Sequence, residues 1–199
     1  MNDNDTDIAL IILAAGMSRR MGAQNKLLKH WQGLPLIRYA ANAAANSICN
    51  PVIIVTGHQQ QLISEAIANP LLTFIYNKHY ETGMASSVKI GANYAEHQNC
   101  QGLIVLPGDM PKITVEIINN IAREGIRHKG ENIIIAAHGE KRGNPVYWPK
   151  KYFQQLQMLD KDTGGRALFA QHSDHIKLLD IGPTARFDLD TADAFAPKN

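Results

Sequence analysis

The sequence predicts an α/β domain of the doubly wound, Rossmann-like kind, with a mostly parallel sheet and helices on both of its faces. Apolar, β-branched runs recur at residues 8–13, 52–56, 73–76, 103–106 and 133–137, and amphipathic stretches of helical length separate the first four. Alternation of this kind is the mark of parallel strands joined by crossover helices. The unusual residues of the chain also fall just after these runs, where ligands bind in open parallel sheets.

The first run is apolar throughout and breaks into a loop, giving IALIILAAGMSRRMGAQNK over residues 8–26. The loop carries Gly16, Gly22, Arg19, Arg20 and Lys26 and no acid. Glycines let backbone N–H groups approach anionic oxygens, and the cations offset phosphate charge at the end of a sheet, so a polyphosphate is the expected ligand. Neither of two familiar phosphate loops is present. A P-loop needs G-x-x-x-x-G-K-S/T, whereas Gly22 is followed by Ala23 and lies one residue too far from Gly16; the dinucleotide pattern G-x-G-x-x-G is absent. The string L-A-A-G-x-S-x-R-M-G-x-x-N-K, from Leu13 to Lys26, instead resembles the signature of the sugar-phosphate and cofactor nucleotidyltransferases.

Pro35 stands where a helix can begin, and Leu36, Ile37, Tyr39, Ala40, Ala43 and Ala44 then recur at three- and four-residue steps. Ile63, Ala66 and Ile67 repeat the pattern after Gly57 and His58. After Met84 the small residues Ala85, Ser86 and Ser87 fill an expected first turn, leaving its N–H groups open to a ligand. Beyond Ala137 the pattern changes: residues 145–148 read as a short extended piece, 163–172 as a helix capped by Asp162 or Thr163, and 176–180 as a final strand. Residues 138–175 are expected to fold over the sheet edge as a substrate-binding extension. No linker divides the chain, so a single domain over residues 1–199 follows, with residues 1–7 as a frayed tail.

Composition narrows the partners. With 45% hydrophobic residues, 19% charged residues and a net charge of +2, the chain can build a core but is no polycation suited to wrapping nucleic acid. Cys49 and Cys100 belong to no C-x-x-C or Cys/His cluster, so buried reduced thiols are expected. The acidic start, MNDNDTD, is unlike a signal peptide, and the apolar stretch at residues 8–15 is far short of a membrane span, pointing to a cytoplasmic location without a membrane partner.

Nucleotidyl transfer needs positioning, a divalent cation against the phosphate oxygens, and cations near the departing pyrophosphate. Lys26 and Arg20 are the candidates for the last role: a unit charge about 4 Å from a phosphate oxygen interacts by roughly 4 kcal/mol at an effective dielectric near 20. Arg19 suits either phosphate contact or solvent. Asp109 ends the run LIVLPGDMP and is the candidate Mg²⁺ ligand, its other reading being a turn former. Mg²⁺ commonly takes one or two carboxylates, so a second acid is sought in RFDLDTADAF, where Asp190 is chosen, Asp188 is held in reserve, and capping of a last helix at residues 192–195 is the other use of Asp190. His58 and His79 lie on the same rim without a partner at metal-ligand spacing. Trp31, Trp148, Tyr147 and Tyr152 read as packing residues.

Taken in order, LAAGMSRRMGAQNKLL, Gly57-His58, NKHYETGMASSVKIG, LPGDMP, KRGNPVYW, DTGGRALF and DLDTADAF resemble the molybdenum cofactor cytidylyltransferases over residues 8–195. The resemblance implies the fold of the nucleotide-diphospho-sugar transferases and a reaction in which the terminal phosphate of molybdenum-bearing molybdopterin attacks the α-phosphate of CTP. The cytosine dinucleotide cofactor and pyrophosphate result. It further implies that Leu13, Ala14, Ala15, Gly16, Ser18, Arg19 and Gly22 bind nucleotide, together with Asn77, Gly83, Ser86 and Ser87, and that Asp109 binds Mg²⁺. Arg142, Gly143, Asn144 and Pro145 would face the pterin, Arg142 supplying a cation and Gly143 a close backbone approach. An apo-molybdoenzyme would receive the product. The related guanylyltransferases read LAGG where this chain has Leu13-Ala14-Ala15-Gly16, which favours cytidine. Lys161 and Gly165 depart from the family's G-D-x-G-A-R and leave the pterin contacts open. The alternatives are a guanylyltransferase, a CTP-dependent sugar- or polyol-phosphate cytidylyltransferase, and a non-catalytic cofactor-binding maturation factor.

Overall fold

A computed structural model describes residues 7–18, 25–70, 72–159 and 165–189. These build a seven-stranded sheet in the order β5-β4-β1-β6-β8-β7-β9, together with a small two-stranded ribbon of β2 (His30–Trp31) and β3 (Leu34–Pro35). Strand β1 (Ile8–Ala14) lies in the middle because its run IALIILA has no polar face to offer solvent; it pairs in parallel with β4 (Val52–Thr56) and β6 (Gly102–Pro107). Outward from β4 lies β5 (Thr73–Tyr76), also parallel. The expected strands at 52–56, 73–76 and 176–180 are found with those bounds, the last as β9 (Ile176–Asp180), which runs parallel to β7 (Ile133–His138).

The helices cover both faces. Alternate residues of β1 point to opposite sides: Leu10, Ile12 and Ala14 meet α1 (Leu36–Ala45), α2 (Gln60–Ile67) and α4 (Val115–Arg127), while Ala9 and Ile11 meet α3 (Met84–His97), α5 (Phe153–Gln157) and α6 (Arg166–Gln171). Pro35 is the N-cap of α1; of the predicted stripe, Leu36, Ile37, Ala40, Ala43 and Ala44 are buried and Tyr39 is partly buried, and Ala41 is buried as well. Thr114 caps α4, its hydroxyl accepting from the Ile117 N–H at 3.3 Å. Helix α6 begins later than expected: Gly165 is its N-cap, and the capping candidates Asp162 and Thr163 lie outside the described residues, as do residues 192–195.

Residues 141–149 correct the expected placement of the 138–175 segment over the sheet edge. They form β8 (Lys141–Pro149), an antiparallel strand inserted between β6 and β7. The extended piece expected at residues 145–148 is thus part of a longer strand that holds two prolines and a glycine. The structure accommodates them with a bulge: from the Ile135–Val146 pair to the Ala137–Arg142 pair, β7 advances two residues and β8 four. Gly143, Asn144 and Pro145 fall in that irregularity, where a missing ladder donor does little harm. The rest of β8 is core. Tyr147 lies on one face of the sheet and Trp148 on the other, and the Tyr147 ring rests where a Cβ on Gly102 or Gly125 would come within 2.2 or 2.4 Å of it.

Cys49 and Cys100 are unpaired by disulfides and buried, as expected. Burial pushes the Cys49 thiol up to about 12, a hydrogen bond with Ser47 opposing it more weakly. Native Cys49 is therefore expected to hold about one part in ten thousand thiolate at pH 8 and to resist a thiol reagent until the chain unfolds. Mass-spectrometric labelling of the folded protein checks this, and rapid modification of Cys49 would contradict it.

Candidate functional site

The carboxyl ends of β1, β4, β5 and β6 form one rim, and backbone hydrogen bonds continue the sheet into their loops. The Gly108 N–H donates to the Leu13 carbonyl at 3.1 Å, the His58 N–H to the Ala15 carbonyl at 3.2 Å, and the Asn77 N–H to the Thr56 carbonyl at 2.7 Å. Two glycines are required here by packing. A Cβ on Gly57 would lie 2.5 Å from the Tyr80 Cβ, and one on Gly108 would lie 2.6 Å from the Ile37 Cδ1 and 3.0 Å from the Leu13 carbonyl oxygen. Gly16 differs from both. It is exposed, and a Cβ there would meet nothing within 4 Å, so no protein contact demands a glycine.

Of the first loop, Leu13 is partly buried, Ala14 and Ala15 are buried, and Ser18 is partly buried with a φ of 50°. Arg19, Arg20 and Gly22 lie outside the described residues. Asn25 caps a single 3-10 turn, Lys26–Leu28, by accepting from the Leu27 N–H at 3.1 Å. The Ser18 hydroxyl donates to the Asn25 Oδ1 at 3.4 Å and accepts from the Lys26 N–H at 3.1 Å, so both ends of the loop are held together. Asn25 is only 4% exposed, and its Nδ2 has no hydrogen-bond partner among the described residues.

This arrangement brings Lys26 to Asp109. The Lys26 ammonium forms an ion pair with the Asp109 Oδ2, both side chains being partly buried. Two residues chosen for different roles, one from the phosphate loop and one from the turn after β6, therefore share one point on the rim. Three residues beyond Asp109, the Lys112 Nζ sits 3.7 Å above the Phe187 ring, which is packed against Trp31. That contact draws the C-terminal segment to the same loop: Asp188 is exposed there, Leu189 is buried, and Asp190 lies outside the described residues.

The residues after β5 serve the scaffold. Asn77 is fully buried; its Nδ2 donates to Ser86 Oγ at 2.7 Å and Ser87 Oγ at 3.0 Å, while its Oδ1 accepts from the His79 N–H at 2.9 Å. Ser87 is buried and Ser86 partly buried, its hydroxyl donating to the Gly83 carbonyl at 2.8 Å. Gly83 opens α3 with a φ of 108°, a conformation that favours glycine. In this conformation Asn77 and Ser87 set the start of α3 and present no exposed surface to a ligand; Gly83 and Ser86 retain some.

The start of β8 reaches the rim because that strand is antiparallel to β6. Val146 pairs with Val105, so residues 141–145 run on toward the Pro107–Asp109 turn. Arg142 is exposed, its guanidinium 5.6 Å from the Phe169 ring, which stacks on Trp148 at 5.3 Å. Gly143 and Asn144 are partly buried and Pro145 is buried. The close approach that Gly143 permits is to this chain itself: a Cβ there would lie 2.0 Å from the Ala185 carbonyl oxygen. Gly165 is likewise held by packing, against Trp148 at 2.4 Å. Sequence reasoning passed over Asn25, although an Asn before a short helical turn is a recognised cap signal.

A mostly parallel sheet with these strand-end loops is the architecture of the nucleotidyltransferases. The chain belongs to the MobA-like NTP transferase domain family, whose model matches residues 10–176. It is 30% identical over 189 residues to the molybdenum cofactor cytidylyltransferase of Escherichia coli (strain K12), a match covering 94% of this chain and 93% of that protein. A crystal structure of a Mycobacterium tuberculosis rv0371c homologue from mycobacterium sp. strain JC1 shares the fold at a TM-score of 0.81, with 20% identity over 95% of this chain and 93% of the other. Rv0371C of Mycobacterium tuberculosis H37Rv, in a complex with manganese, shares it at 0.76, with 18% identity and 96% of each chain covered. No helix among the described residues is long and apolar enough to cross a membrane.

Removing the buried Asn77 amide takes the acceptor from the His79 N–H and the donor from the Ser86 and Ser87 hydroxyls, of which Ser86 keeps its bond to the Gly83 carbonyl, so Asn77→Ala is expected to lower stability by about 1–3 kcal/mol. Urea unfolding measures this, and a stability equal to that of the native chain would show that α3 does not depend on Asn77.

Proposed function

We propose that this nucleotidyltransferase carries CMP from CTP to the terminal phosphate of molybdenum-bearing molybdopterin, giving the cytosine dinucleotide cofactor and pyrophosphate. The observation that carries the reading is the meeting of Lys26 with Asp109 on the rim where Gly16 also lies, exposed and with no protein atom near its missing Cβ. The 30% identical Escherichia coli cytidylyltransferase supports the choice of substrates.

The donor chemistry fits a divalent cation held as Mg²⁺ commonly is, by one or two carboxylates with phosphate and water oxygens completing the shell. Asp109 is a hard oxygen donor on a packed turn, and among the described residues no cluster of three or more His, Cys, Asp or Glu side chains forms a dedicated cage. Asp109 would hold the ion, with Asp190 or Asp188 as a second acid from the segment that Phe187 ties to the same loop. When bound, Mg²⁺ supplies charge neutralisation on the phosphate oxygens.

The chain's own groups do the rest. The backbone from Leu13 to Gly16, with Ser18, Arg19 and Gly22, receives the nucleotide, and Gly83 and Ser86 border it from the start of α3. Lys26 and Arg20 place positive charge where the α,β-bridging oxygen acquires negative charge as its bond to the α-phosphorus breaks. The pterin phosphate oxygen forms the new bond to that phosphorus, and pyrophosphate departs. Arg142 provides the cation for this second anionic substrate, while Gly143, Asn144 and Pro145 shape its side of the rim. Ala15, nearly buried, keeps the wall beside the base small. The reaction draws on the cytoplasmic CTP pool, and its product passes to an apo-molybdoenzyme.

Asp109→Ala is expected to abolish pyrophosphate release while leaving the fold intact, and Lys26→Ala to lower turnover by about a hundredfold or more. A pyrophosphate assay with circular dichroism checks both; full activity in either variant would remove the role assigned to that residue. The substrates are tested by turnover with CTP, GTP, ATP and UTP, each with and without the molybdenum pterin. CTP with the pterin should be fastest, and a preference for GTP would identify a guanylyltransferase instead.

A further inference from the structure

Lys26 and Asp109 form a lock that couples metal binding to nucleotide binding, and we infer that it keeps the chain from taking up a divalent cation by itself. The inference rests on the metal role proposed for Asp109. Neither partner is a loose surface group. The turn that carries Lys26 is fastened by the buried Asn25 and by Ser18, and the turn that carries Asp109 is fastened by the Gly108–Leu13 hydrogen bond and by the packing of Gly108 on Ile37. Their side chains are 17% and 15% exposed. The ammonium lies directly on Asp109 Oδ2, one of the two carboxylate oxygens a cation would use.

A cation arriving at Asp109 therefore meets a positive charge already in contact with its ligand. To bind, it must move the ammonium aside into a partly desolvated region, where an unpaired charge is unfavourable. A triphosphate changes that balance because it offers the Lys26 ammonium new anionic partners. Once the ammonium turns to phosphate, the Asp109 carboxylate becomes available to the metal. Metal and triphosphate then bind as one unit, and by linkage each strengthens the other. The lock also keeps Asp109 neutralised between turnovers, so the site does not collect stray cations.

The test is Mn²⁺ alone, titrated by electron paramagnetic resonance in a double-mutant cycle of the whole chain: native, Lys26→Met, Asp109→Asn, and both together. Lys26→Met should tighten Mn²⁺ binding about fivefold or more when Asp109 is present, and the gain should vanish when Asp109 is Asn. Lys26→Gln, a polar replacement, should act in the same direction, and thermal melts confirm that each variant is folded. An unchanged affinity in folded Lys26→Met and Lys26→Gln overturns the lock. An equal gain in both Asp109 backgrounds also overturns it, since long-range charge alone would then explain the effect. If Lys26→Met and the double variant bind Mn²⁺ equally well, Asp109 is not the metal ligand, and the proposed metal site fails with it.

Discussion

The site depends on the way β1 is clamped between β4 and β6. All three strands are parallel and run to the same rim, and the clamp does not stop where the strands do. Hydrogen bonds from Gly108 to Leu13 and from His58 to Ala15 extend the sheet's spacing into the loops. Loops on sheets are ordinarily the mobile part of a fold, yet here the first residues of each are fixed at strand separation. Lys26 and Asp109, 83 residues apart in the chain, can meet only because this framework sets the distance between their loops. Gly57 and Gly108 are part of the same constraint, since a methyl group at either would push the loops apart.

Much of this was legible in the sequence, for a simple reason. Strands such as Val52–Thr56, Thr73–Tyr76 and Ile176–Asp180 are short, β-branched and bounded by turn residues, and helices such as α1 carry a periodic apolar stripe, so local pattern and global fold agree. The rim followed from topology, because parallel strands send all their following loops to one side. Strand β8 was not legible as a central strand. Its Lys141, Arg142 and Gly143 and its two prolines contradict strand propensity, and only the bulge against β7 reconciles them with the ladder.

Side-chain roles divided along the same line. Where a residue acts through local geometry, its type announced it, as Pro35 did before α1. Where it acts through distant packing, its type did not show that part. Gly143 makes room for the Ala185 backbone, and Asn77 is a buried brace between β5 and α3. A glycine or an asparagine in a loop has the same appearance in either case. Gly16 differs from both, being exposed and with nothing near its missing Cβ.

The single reversed strand brings a different kind of segment to the rim. Parallel strands contribute the loops that follow them, and for β1, β4, β5 and β6 those loops surround one place on the rim. An antiparallel strand contributes the residues that precede it instead. By entering between β6 and β7, β8 sends its charged start, Lys141 and Arg142, toward the rim without another crossover helix, and anchors it with a buried second half from Pro145 to Pro149. The stacked Trp148 and Phe169 then support Arg142 from below, the guanidinium lying 5.6 Å from the Phe169 ring. The exposed Arg142 is thus built onto the core of the sheet, and the bulge that tolerates Pro145 lies between it and the buried half of the strand.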